Sequence, residues 1–315
     1  MRYFFYRGGA KTQGNSASLL PSGEEKILPQ GRKGAGLEIS FATSRLCGSY
    51  NLLKIAIVLS LLIACRITVP GQNKTHTADD FPFQPGEYLK YRVYYDSWVT
   101  YWMTAGFGIM EIDKDMADVK GREAYHITVT GNSANVFNMF YKVRDKFESF
   151  MDEDSLYSLK FIRKTHEGKY KRNDEILFDH QELKATSTRK VSDITPGIQD
   201  IVSAFYHMRT LNFDSAEIND EYFMDFFLDD SLYHSKIVFL GRETVETELG
   251  IFHCMKFKPE VAQGEIFQEP YPMELWVSDD KNKIPILAKS AVYIGSVKVE
   301  LIEYKGLKWE LGGER

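Results

Sequence analysis

The chain has 315 residues, a formal net charge of −5 and an aromatic content of 14%, with 18 Tyr and 21 Phe. An acidic balance lacks the basic footprint that nucleic-acid binding requires, so no nucleic-acid partner is expected. The aromatic load suits strands better than helices.

In chain order, residues 1–53 are rich in Gly, Ser, Lys and Arg without sustained periodicity. They read as disordered, or as translation assigned from a start codon too far upstream. Residues 54–72 read as an export signal. Lys54 precedes an unbroken apolar run, Ile55 to Ala64, that ends at Cys65 and is cut off by Arg66. The run is shorter than the ~20 apolar residues a bilayer-spanning helix needs. Two processing routes stay open. Leu62-Ile63-Ala64-Cys65 resembles the bacterial lipobox, in which Cys65 is lipidated and becomes the new N-terminus, although Arg66 is unusual beside it. Alternatively, ordinary signal peptidase cuts after Val69-Pro70-Gly71 and discards Cys65. The expected location is the bacterial periplasm, free or anchored at the outer membrane as a lipoprotein. The membrane would then be met only through an N-terminal lipid anchor. Residues 73–82 read as a tether.

The remainder, roughly 240 residues, suits one large β domain over 83–310. Of three cysteines, Cys47 and Cys65 belong to the leader, so Cys254 stands alone and no internal disulfide is expected. Its apolar neighbours suit a buried small hydrophobe; a reactive thiol is the alternative. The first strand follows Pro85-Gly86: Leu89, Tyr91, Val93 and Tyr95 alternate with Lys90, Arg92 and Tyr94. Further strands are expected at 106–112, 124–130, 142–151, 158–164, 175–178, 183–188, 222–228, 236–240, 252–258, 273–277, 286–294 and 297–304. One segment has helical period. Ile198, Ile201, Val202, Phe205, Met208 and Leu211 make an amphipathic helix near 196–212, with Thr195 as cap and Pro196 at its first position. The order strand, strand, turn glycine, strand, acidic turn occurs in both 83–190 and 213–310. It reads as an old duplication or as ordinary meander rhythm.

Three groups of residues carry a family resemblance: Gly250 to Pro259, Glu274 to Asp280 with Ile284-Pro285, and Gly295-Ser296-Val297. They resemble an uncharacterised exported bacterial family catalogued as domain of unknown function 3108. Ser203-Ala204-Phe205-Tyr206 and the opening 83–95 also fit, so the resemblance covers about 81–309 of the chain. It implies no active site. It implies a fold similar to the curved, incompletely closed sheets of periplasmic lipoprotein carriers such as LolA and LolB, by fold-level analogy.

The seven histidines make no zinc motif, and there is no nucleophile elbow, phosphate loop or dinucleotide fingerprint. No cofactor or metal is expected. Asp152-Glu153-Asp154, Asp229-Asp230 and Asp279-Asp280 sit side by side, as turn residues do. The segments holding Trp98, Trp102 and Met103, and Phe137, Met139 and Phe140, are dense in large apolar side chains where connections are expected. They are core strands, or the lining of an apolar ligand site. The expected fold is mainly β: a curved antiparallel sheet or half-barrel, with two similar lobes if the duplication holds, wrapped on one helix. The expected function is non-catalytic binding of an apolar ligand, a lipid or acyl chain, in the cell envelope. The alternatives are a scaffold that contacts envelope proteins, and a hydrolase working through Glu148, Asp152 or Asp279.

Overall fold

The structure is a computed structural model that describes residues 81–96, 103–139, 141–260, 273–291 and 295–314. The expected leader, the tether up to 80 and Cys65 lie outside the described residues. So do Trp98, Trp102 and Phe140.

Period-two alternation organises two meanders. The first comprises β1 (Tyr88–Asp96), β2 (Met103–Ile112), β3 (Ala117–Val119), β4 (Arg122–Ser133), a single-turn helix α1 (Asn135–Asn138), β5 (Val143–Asp152), β6 (Ser158–Glu167), β7 (Tyr170–Asp179), β8 (Lys184–Ser187) and β9 (Val191–Asp193). After helix α2 (Ile201–Arg209), the second comprises β10 (Glu221–Leu228), β11 (Ser231–Thr247), β12 (Gly250–Pro259), β13 (Met273–Ser278), β14 (Pro285–Ala291) and β15 (Ser296–Lys305). They form one antiparallel sheet, open and curved, running from β10 through β15, then β1, β2 and β4, and on through β5 to β9. The meanders meet where β15 pairs with β1, Tyr91 lying opposite Leu301. The expectation of a mainly β, curved antiparallel fold is met.

Side chains at every second position face one interior. Along one rung Leu89 lies opposite Met110, Met110 opposite Val129 and Val129 opposite Phe147. All four are buried in a single hydrophobic core that also takes in α2. Two strand boundaries depart from expectation for a physical reason. β11 runs 17 residues instead of five because a bulge at Phe239/Gly241, with Gly241 at φ +117°, lets it change course without ending. β7 starts at Tyr170 because its inward Tyr170, Arg172 and Asp174 are polar and hide the alternation.

The helix is present but starts later than expected. Pro196-Gly197 turns instead, with Gly197 at φ +76°, and the Thr195 hydroxyl donates to Asp225 at 2.8 Å. Asp200 is the cap. Its carboxylate accepts from the Val202 and Ser203 amides at 2.7 and 3.0 Å, and the Ser203 hydroxyl accepts from the Asp200 amide at 2.9 Å. This is a capping box with serine in the usual Glu or Gln place. The other Asp200 oxygen accepts from the Ser149 and Ser158 hydroxyls, both at 2.6 Å, which pins the helix start to β5 and β6. Burial pushes this carboxyl above its usual range, and the hydrogen bonds oppose that rise.

At the other end of α2, Arg209 is buried against Glu87 in a two-pronged pair of 2.6 and 2.8 Å. Its remaining donors reach the Asn282 carbonyl at 2.9 Å and the Pro82 carbonyl at 3.0 Å. Replacing one partner of such a pair leaves the other charge buried alone, which costs about 3–5 kcal/mol. Arg209→Met should lower the unfolding free energy in urea by about that amount. Arg209→Met with Glu87→Leu should recover most of it, because no charge is then stranded. A single-variant loss under about 1 kcal/mol would show that the pair does not anchor the helix.

Candidate functional site

The two edge strands, β9 and β10, are not paired by a ladder. The seam between them is closed by other means. Low on it, the Ser158 amide donates to the Ile198 carbonyl at 3.4 Å, and the Phe227 amide donates to the Gln199 carbonyl at 2.8 Å. Residues 198–199 therefore bridge β6 and β10. Higher up, the β10–β11 turn docks on the inner face of β6 and β7 through charge. Asp229 and Asp230 form that turn at φ +53° and +59°, a left-handed pair suited to a tight hairpin.

Three arginines receive the turn. Arg163 pairs with Asp174 at 2.6 Å and with Asp229. Arg172 reaches Asp174 at 2.5 Å and Asp229 at 2.7 Å. Arg189 reaches Asp174 at 2.7 Å and Asp230 at 2.5 Å. The Asp174 side chain is 2% exposed and sits at the centre. Burial pushes its carboxyl up, but Arg163 and Arg172 outweigh that and hold it below the usual range. Asp230 is likewise raised by burial and lowered further by Arg189, with the same net direction. The arginines were not singled out from sequence. The signal was there: Arg163, Thr165 and Glu167 on β6, and Tyr170, Arg172 and Asp174 on β7, occupy inward positions where the pattern calls for apolar residues.

Three of the six expected ligand-lining residues are described, and they gather at one end of the sheet. Met103 starts β2 opposite Tyr95 at the end of β1. Phe137, in α1, meets the Tyr95 ring edge-on with centroids 6.3 Å apart. Met139 follows α1 and is 82% exposed. Phe137 thus belongs to a helical turn at the rim and not to a core strand.

At the opposite end, a cleft of about 390 Å³ opens where α2, the turn after β13 and the C-terminal segment meet. Arg209, Phe213, Lys283, Asp280 and Trp309 are among its walls. The Lys283 ammonium donates to the Leu211 carbonyl at 2.6 Å, just past the helix, and burial holds its pKa below the usual lysine range. Lys281 lies 4.6 Å from the Trp309 ring centroid. The charges in this cleft are spent on joining three segments.

Asp152, Asp279, Glu148, His126 and His253 each have local partners. Asp152 accepts from the Ser155 amide and hydroxyl and pairs with Arg122 at 2.8 Å. Asp279 pairs with Arg242 at 2.8 Å, and Glu148 with Lys146 at 2.8 Å. The carboxylates named for a hydrolase are therefore each engaged in a separate ion pair. His126 bonds Asp113 at 2.7 Å and stacks on Phe150, and His253 bonds Thr244 at 3.1 Å. Cys254 is buried, as its neighbours implied.

A family model described as protein of unknown function, DUF3108, matches residues 90–302, from within β1 to within β15. The chain belongs to the DUF3108 family. The motifs that carried the resemblance are structural in this DUF3108 chain. Asp280 accepts from the Ser278 hydroxyl and the Asn282 and Lys283 amides, while the Asn282 carbonyl holds Arg209. No curated protein matches the sequence. Among solved structures, the chain is similar to a beta-barrel-like protein of domain of unknown function DUF1849 from Brucella abortus. The identity is 11% and the TM-score 0.48, over 72% of this chain and 99% of that one. It is also similar to a protein with a YmcC-like fold from Bacteroides fragilis, assigned there to export. That identity is 13% and the TM-score 0.34, over 71% and 98% of the two chains.

Two predictions follow from the buried groups of this DUF3108 chain. Asp174→Asn removes the central anion of the arginine cluster and should cost about 3 kcal/mol in urea unfolding at pH 7. A depressed carboxyl contributes stability above its unfolded pKa, about 3.9. That contribution is lost as pH falls through the lower folded value, so the gap between variant and wild type should narrow only below pH ~3.9. A gap that is constant down to pH 2.5 would refute the ionic account. Cys254, whose thiol is pushed up to about 12 by burial and then by Asp280, Asp279 and Glu243, should resist iodoacetamide at pH 8 until the protein is unfolded. Rapid alkylation of the native protein would refute its burial.

Proposed function

We propose that this DUF3108 protein is an exported, non-catalytic module of the bacterial cell envelope that holds an apolar ligand, a lipid or acyl chain. The observation that carries the reading is the rim at the β1–β2 end. There Tyr95, Met103 and Phe137 converge, and Met139 stands 82% exposed beside them. Large apolar side chains gathered at one end of the sheet are the material of a contiguous apolar binding patch. Methionine lets such a surface adapt to flexible chains. The inner wall of the second meander continues from it without charge: Met273, Leu275, Val297 and Val299 are all buried and apolar.

The export part of the reading rests on the signal-like segment from Lys54 to Cys65. Among the described residues no helix is long and apolar enough to cross a membrane. Attachment, in this reading, is by acyl chains on Cys65, where more than one chain is needed for stable anchoring. The non-catalytic part is supported by the separate ion pairs of Glu148, Asp152 and Asp279.

Protein purified from its own host and examined by native mass spectrometry should carry a co-purifying apolar species. Titration of delipidated protein with dodecanol should show a saturable site, weakened about tenfold in Phe137→Ala, the loss of roughly one well-packed contact. Absence of both the co-purifying species and the saturable site would overturn the proposal.

A further inference from the structure

The inner face of β6 and β7 carries a site whose present occupant belongs to the protein itself. Arg163, Arg172 and Arg189 converge on the adjacent carboxylates of Asp229 and Asp230, which come from the far edge of the sheet. We infer that these three arginines form a binding site for a phosphate monoester, which the Asp229–Asp230 turn fills when no ligand is present, and that the incoming phosphate displaces the turn and loosens the seam.

Charge is the first argument. With the turn in place, three guanidinium groups face three carboxylates. With the turn withdrawn, Asp174 is the one of those three carboxylates left, so the cluster loses two negative charges on a partly buried face that also carries Glu167 and Asp145. A phosphate monoester carries about −1.5 to −2 at neutral pH and so restores the balance in one group. Guanidinium forks match phosphate oxygens in paired hydrogen bonds, which makes arginine the favoured residue for this chemistry. Two neighbouring aspartates on one tight turn deliver a similar charge over a similar span.

The second argument is the quality of the present fit. Asp230 Oδ1 is buried and takes no hydrogen bond from the three arginines, which meet Asp230 through its other oxygen alone. The turn can also leave without breaking the sheet. Its polar contacts to β6–β9 include the ion pairs, a Ser187–Asp230 side-chain hydrogen bond and a 3.5 Å bond from the Ser192 hydroxyl to the Asp230 carbonyl, and no ladder need break. The arginines stand next to an apolar layer. Phe161 and Ile176 share their inward face, and Phe178 meets Phe227 edge-on at 5.9 Å. A phosphate head there can have a hydrocarbon tail against that layer. The tail rests on the reading above, whereas the phosphate site rests on the arginine cluster alone.

The test uses the full chain and three probes: inorganic phosphate, dodecyl phosphate and dodecanol. Asp229→Asn with Asp230→Asn removes the competing charge yet keeps residues that tolerate the left-handed turn. That variant should bind both phosphate probes about tenfold more tightly than wild type, with dodecanol unchanged. Arg163→Gln with Arg172→Gln should lose both phosphate probes. If that pair fails to fold, Arg189→Gln, the most exposed of the three, should weaken them instead. In wild type, dodecyl phosphate should speed amide hydrogen exchange over residues 226–233 as the turn leaves. Equal phosphate affinity in wild type and the double Asn variant, or tight binding with the turn still protected, would overturn the inference. Dodecanol binding without phosphate binding would sink this site and spare the apolar reading; phosphate binding without any dodecanol site would do the reverse.

Discussion

The rest of the structure depends on one buried ion pair, Arg209 with Glu87. An open, curved sheet has an interior but no second layer to fill it, so its concave face needs a cover. Helix α2 is that cover, and at nine residues it is too short to hold itself in place by helical propensity. Its position is set at both ends by charge. Asp200 ties its start to serines on β5 and β6, and Arg209 ties its end to Glu87 at the head of β1. Because Arg209 also holds the Pro82 and Asn282 carbonyls, the same guanidinium registers the chain entering β1 and the turn leaving β13. Away from the seam, the meanders are thus joined both by the β1–β15 ladder and through this side chain.

A sheet with free edges invites pairing with other chains. Here the free edges face each other across a seam that no ladder closes. The lower seam uses backbone, through Ile198 and Gln199, and is rigid in the way β structure is. The upper seam uses side chains on the tip of a hairpin, and ionic contacts between partly exposed groups are weaker and more exchangeable than ladder bonds. The two halves of the seam therefore differ in what would open them. Solvent ions and competing anions act on the upper half and leave the lower half alone.

What could be read from the sequence follows from which forces act locally. β1 alternates because one face is core and the other more exposed, and it was legible; β12 was legible too, although its alternation breaks at Cys254 and Met255, both buried. β3 and β9, of three residues each, are too short to show a period. The helix stripe was legible, but its start was misplaced by five residues. Thr195-Pro196 looks like a local cap, whereas Asp200 does the capping because Ser149 and Ser158, some 40 to 50 residues earlier, satisfy its second oxygen. The rim was half legible, since density of large apolar residues in connecting segments is visible without knowing the fold. The arginine cluster was not, because Arg163 and Asp229 lie 66 residues apart and only the closing of the seam brings them together.

The interior is not uniformly apolar. On the rung from Leu89, four apolar positions lead across the first meander to Phe147 and then to Arg163 opposite Asp174. The second meander has no such break at Met273, Leu275 or Val297. A uniform apolar vessel would gain nothing from inward arginines, since every buried charge incurs a desolvation penalty that its partner only repays with good geometry. Arg163 and Arg172 hold such inward positions, each with two carboxylate partners, Asp174 and Asp229, that supply that geometry. The inward face of β6 and β7 is thus apolar at Phe161, Ile176 and Phe178 and ionic at Arg163, Arg172 and Asp174, on the wall of one hydrophobic core.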